Sequence, residues 1–120
     1  MAFQEIPGKV DLTGQTGSVG PNTLFVVGPL GAGMYAVWVD VIVTTAGSGG
    51  TVVANVTWNN GTTTAGLNSS AFNLNAQGEQ AALLGNFYAV ASQTITYSTT
   101  VASASGNPVY ALRIRLQFIG

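Results

Sequence analysis

Between Tyr110 and Phe118 large apolar residues alternate with polar or small ones without a break. Tyr110, Leu112, Ile114, Leu116 and Phe118 fall on one side, and Ala111, Arg113, Arg115 and Gln117 on the other. Side chains alternate between two faces at a period of two only in a β-strand. A helix would scatter those apolar residues around its whole circumference, so the segment reads as a half-buried strand.

The same logic extends over the chain. β-branched residues dominate, glycines are frequent, and Gly, Asn, Pro and Ser clusters divide the strand-like runs. Met34–Thr45 and Thr51–Trp58 carry the next strongest pattern, joined by Ala46-Gly47-Ser48-Gly49-Gly50. A hairpin centred on Gly47 and Ser48 sets Val43 opposite Val52, Val41 opposite Ala54, Val39 opposite Val56 and Val37 opposite Trp58. Its other face pairs Asp40 with Asn55 and Trp38 with Thr57. Asn59-Asn60-Gly61 then predicts a tight turn.

Further strands are expected near Asn22–Val27, Thr62–Leu67, Ala71–Leu74, Gln80–Tyr88 and Thr94–Val101, with a short one around Val10–Gln15. The expected fold is all-β: an antiparallel, jelly-roll-like β-sandwich of about eight strands. Residues 1–9 lack strand periodicity and read as an N-terminal arm on a single domain spanning 10–120.

Several function classes lose their chemistry at once. The chain has no cysteine and no histidine, which removes the usual zinc ligands and the Cys–His and Ser–His–Asp arrangements. Gly28-Pro29-Leu30-Gly31-Ala32-Gly33 is followed by a strand and lacks the Lys-Ser/Thr of a phosphate loop, so it reads as a turn. The carboxylates are Glu5, Asp11, Asp40 and Glu79; only Asp40 lies inside a confident strand, and Glu79 is placed in a turn. No catalytic, cofactor or metal site is expected, and the protein is expected not to be an enzyme. A net charge of −1 offers nucleic acid no basic surface. The longest apolar stretch, Met34–Val43, is interrupted by Asp40 and too short for a membrane-spanning helix, and no targeting signal is visible.

Only 6% of residues are charged, against roughly 25% in an average domain. A surface so poor in ions favours association. Asp40, Arg113 and Arg115 are therefore expected on the outward strand faces with Trp38, meeting across a subunit interface or lining a symmetry axis; the alternative is solvated charges that keep the sheet edges from aggregating. In the arm, Phe3 and Ile6 are expected to anchor a partner.

Three segments resemble small structural proteins of tailed bacteriophages: Tyr35 to Trp58 through Thr44-Thr45-Ala46-Gly47-Ser48-Gly49-Gly50-Thr51, then Gln93–Thr100, then Tyr110–Leu116. The resemblance covers about residues 33–118. It implies a non-catalytic virion component, jelly-roll-like and often trimeric, without cofactor. The leading expectation is a capsid decoration (cement) protein on the capsid surface, a homotrimer whose partner is the major capsid protein or another virion protein. The alternative is a tail- or head-fibre module binding host-surface glycan, with Trp38, Trp58 or Tyr88 stacking on sugar rings.

Overall fold

The computed structural model describes residues 8–120; Phe3, Ile6 and the rest of residues 1–7 lie outside it. The strands are β1 (Gly8–Gln15), β2 (Asn22–Val26), β3 (Gly33–Thr45), β4 (Gly49–Asn59), β5 (Thr64–Asn68), β6 (Phe72–Asn73), β7 (Gly78–Ala89), β8 (Thr94–Ser105) and β9 (Val109–Phe118). They form two antiparallel sheets. One has four strands in the order β1-β9-β3-β7, and the other runs β2-β8-β4-β5 with β6 added beside β4. Apart from β4 to β6, each strand is followed by one in the opposite sheet, which is the winding of a jelly roll. The strand starts at Gly8, where Gly8 faces Leu116, so Gly8 and Lys9 belong to the sheet.

The predicted β3–β4 hairpin does not form. β3 pairs with β7 and β9, while β4 pairs with β5, β6 and β8. Val37, Val39, Val41 and Val43 do point inward, as do Val52, Ala54, Val56 and Trp58. They meet across the sandwich from opposite sheets instead of lying side by side. An apolar row satisfies its alternation equally well against a cross-strand neighbour or a facing sheet, so burial parity cannot choose between them. The connection turns a corner at Gly47, where a Cβ would collide with the Ser105 carbonyl oxygen. In consequence Asp40 and Trp38 lie on one outer surface of the molecule, while Asn55 and Thr57 lie on the other.

The Asn-Asn-Gly turn forms as expected. Asn59 Oδ1 accepts from the Gly61 N–H at 2.8 Å, Asn60 Oδ1 accepts from those of Thr62 and Thr63 at 3.0 Å each, and Gly61 takes φ +97°.

At one end of the sandwich the core is aromatic. Trp58 stacks on Phe87 with centroids 4.0 Å apart, and Tyr35 contacts Phe87 and Phe118 at 5.9 and 5.1 Å. The opposite end is closed by hydrogen bonds: Gly47 N–H to Leu74 O, Ser48 N–H to Ser105 O, and the Gln77 amide to Thr44 O.

Candidate functional site

Strand register brings every charged side chain among the described residues to one surface, the outer face of the four-stranded sheet. One row across that face reads Lys9, Arg115, Trp38, Leu83; the next reads Asp11, Arg113, Asp40, Ala81. Glu79 follows on β7, opposite Ile42. The alternation of β9 is the cause: with Leu112, Ile114 and Leu116 fully buried, Arg113 and Arg115 must face outward beside β1 and β3. The outer face of the other sheet carries no charge. Thr57 bonds Thr96 there, and the Asn55 amide donates to Ser98 and Thr100 hydroxyls at 3.4 and 3.3 Å.

The four residues expected to act together, Trp38, Asp40, Arg113 and Arg115, are neighbours, and the partners of the charges lie within the same chain. Arg115 Nη2 donates to Asp11 Oδ1 at 2.9 Å, and its Nη1 donates to the carbonyls of Val10 and Ile114. Arg113 Nη1 stands 3.5 Å from Asp40 Oδ2, and Lys9 Nζ 3.7 Å from Asp11 Oδ2. Glu79 was expected in a turn but lies in β7 beside Asp40. Its position two residues before Ala81 put it on the same face, a parity that the adjoining Gly78 hid. Asp11, Lys9 and Leu83 were also missed, because the order of the strands decides which rows they join.

The two aspartates sit in opposite environments. The Arg115 hydrogen bond holds the Asp11 carboxyl below the usual carboxylate range. Burial, and then the Glu79 carboxyl beside it, push Asp40 up against the opposing pull of Arg113. Asp40 Oδ1 is buried with no hydrogen-bond partner among the described residues. Folding therefore favours the protonated form of Asp40, and its charge is a cost that disappears as pH falls through its raised titration. For Asp11 the sign reverses: its stabilisation is present at neutral pH and fades in acid. Asp40→Asn is expected to raise stability at pH 7 by up to about 1 kcal/mol, since an amide can donate to Glu79. The gap should narrow in mild acid, as pH falls through the raised Asp40 titration and the carboxylate takes up its proton. Urea denaturation at both pH values checks this, and a destabilised variant at pH 7 would mean that the Arg113 pair dominates.

Of the aromatic residues considered for sugar stacking, Trp58 is excluded: it is 7% exposed and covered by Phe87. Trp38 is 40% exposed. Beside it, Trp38, Asp40, Ala81, Leu83, Arg113 and Arg115 border an open depression of about 480 Å³, where the short Ala81 side chain leaves room next to the indole.

A second surface was not foreseen. Val26, Leu30, Met34, Tyr88, Phe118 and Ile119 are exposed large apolar residues, and all lie at the end of the sandwich capped by the aromatic cluster. This end gathers the β2–β3, β4–β5 and β7–β8 connections and the end of β9. None of these segments carries a charge.

No protein-family model and no curated protein matches the chain. Among solved structures it is similar to the C-terminal domain of EclA, a sugar-binding protein. That match has a TM-score of 0.51 at 16% identity, covering 95% of this chain and 79% of that one. Looser likenesses are to the CBM22-1–GH10 modules of Clostridium thermocellum endo-1,4-β-D-xylanase 10B complexed with xylohexaose (TM-score 0.44, 14% identity, 100% of this chain and 29% of that one), and to the naturally occurring empty particles of Cowpea mosaic virus (TM-score 0.41, 14% identity, 100% and 91%). At 16% identity the EclA likeness bears on the fold alone, and the chain is an all-β, two-sheet sandwich with jelly-roll winding.

Proposed function

We propose that this chain is a non-catalytic structural subunit of a virion, a bacteriophage capsid decoration protein that associates as a homotrimer on the capsid surface. The charge-free apolar end carries the reading. Leu30 is 97% exposed and Ile119 55%, and with Val26, Met34, Tyr88 and Phe118 they put six exposed large apolar residues at one end of the sandwich. Soluble monomers rarely leave such a patch to water. Neutral surface can be buried without the desolvation cost of ions, which suits a protein whose task is to be covered by neighbours. Gly8, the first described residue, lies towards this end, opposite Leu116, and Phe3 and Ile6 precede it in the sequence. Those two residues would extend the contact to the major capsid protein or another virion protein.

The double substitution Leu30→Asp/Ile119→Asp tests the assignment. Both side chains are more than half exposed, so the fold should survive. Native mass spectrometry at micromolar concentration is expected to show a trimer for the unmodified chain and a monomer for the variant. A monomeric unmodified chain, or a variant that remains trimeric, would overturn the role given to this end.

A fibre module that binds host-surface glycan is the second reading. The exposed indole of Trp38 on an open sheet face favours it, and the EclA domain, which has a similar fold, is a sugar-binding protein.

A further inference from the structure

We infer that the depression beside Trp38 binds a neutral saccharide of one or two rings; the inference rests on the glycan-binding reading and is independent of the apolar end. Saccharide rings present an apolar C–H face and a rim of hydroxyls, and the site offers a partner for each. The indole of Trp38 and the half-exposed Leu83 are cross-strand neighbours on β3 and the edge strand β7 and present adjoining apolar surface on the outer face. Ala81 opens space beside them, and about 480 Å³ lies within the range of small-ligand sites.

Arg113 supplies the polar contact. A guanidinium carries five N–H donors, yet among the described residues Arg113 makes only the 3.5 Å contact with Asp40, and its side chain is 53% exposed. Arg115, by contrast, is engaged by Asp11 and two carbonyls. Arg113 therefore faces the depression with donors to spare for ring and hydroxyl oxygens.

Charge balance selects a neutral ligand. Lys9, Arg113 and Arg115 are matched on this face by Asp11, Asp40 and Glu79. Asp40 borders the depression beside Arg113, so a sialic acid carboxylate or a sugar sulfate that took the unused Arg113 donors would lie close to a second anion. Hydroxyls can bridge the same groups without that repulsion.

The test is an array of neutral, sialylated and sulfated oligosaccharides probed with the full chain, followed by calorimetry on the best neutral binder. Binding to neutral glycans is expected, with a blue shift of tryptophan emission as the indole is covered. Trp38→Ala should lose at least about tenfold in affinity, Trp38→Tyr should keep part of it, and Arg113→Ala should lose roughly three- to tenfold. Leu30→Asp/Ile119→Asp should leave monovalent affinity unchanged. Preference for sialylated or sulfated glycans would overturn the neutral class while keeping glycan binding. Neutral binding that survives Trp38→Ala would overturn the site, and no binding to any glycan would overturn both this inference and the reading beneath it.

Discussion

Trp58→Ala is expected to cost about 3–5 kcal/mol of folding stability, whereas Trp38→Ala should cost about 1 kcal/mol or less. The contrast comes from position. Trp58 points inward from β4, is 7% exposed, and stacks on Phe87 at 4.0 Å within the aromatic group that includes Tyr35. Its removal leaves a cavity that β-sheets on both sides hold open, so transfer and cavity terms add. Trp38 points outward from β3 and covers only part of its surface on Arg115 and Leu83. Truncating it exposes little that was dry. Urea denaturation monitored by circular dichroism separates the two, with equal m-values showing that the denatured ensemble is unchanged. Comparable losses in both variants would mean that the outer tryptophan is a structural residue, and the case for Trp38 as a contact would weaken accordingly.

That the two tryptophans would differ was only half legible in the sequence. Alternation assigns Trp58 the parity of Val52, Ala54 and Val56, and Trp38 the opposite parity to Val37 and Val39. Both assignments match the structure, and so do the inward and outward faces of β9. What alternation cannot supply is the partner strand. β3 and β4 are adjacent in sequence and patterned alike, yet they lie in different sheets because a jelly roll crosses between sheets at that corner. The rows on the outer face follow from the order β1-β9-β3-β7, which joins Asp11 from one end of the chain to Arg115 from the other. No local signal encodes a contact over that separation. The apolar end escaped notice for the same reason. Val26, Leu30, Tyr88 and Ile119 are unremarkable one at a time, and only the winding collects them. Glu79 shows a smaller failure, in which a glycine beside it suggested a turn although β7 begins there.

Thr99→Val is expected to destabilise the domain by about 2–3 kcal/mol although it keeps the side chain's shape. Thr99 is the buried polar residue of an otherwise apolar interior, 3% exposed. Its Oγ1 accepts from the Val19 N–H at 2.9 Å and lies 2.7 Å from the Tyr110 hydroxyl, which donates to Gly17 O at 2.7 Å. Because the Tyr110 proton is committed to Gly17, Thr99 must donate its own to Tyr110 and accept from Val19 with a lone pair. The node thus fastens residues 16–21, the β1–β2 connection, onto β8 and β9, and the Thr99 N–H adds a bond to Val19 O at 2.9 Å. Valine would leave the Val19 N–H buried without an acceptor. Tyr110→Phe would strand Gly17 O and the Thr99 proton, at a cost of about 1–3 kcal/mol. Since both changes break the same shared bond, the double variant should lose less than the sum of the two, and Thr99→Ser should retain most of the stability. Hydrogen exchange gives the local readout: the Val19 amide should lose protection in Thr99→Val well before the amides of β3 do. Strictly additive losses, or an unchanged Val19 amide, would show that the connection is held by its apolar contacts and that the hydroxyl relay contributes nothing to the closure of this end.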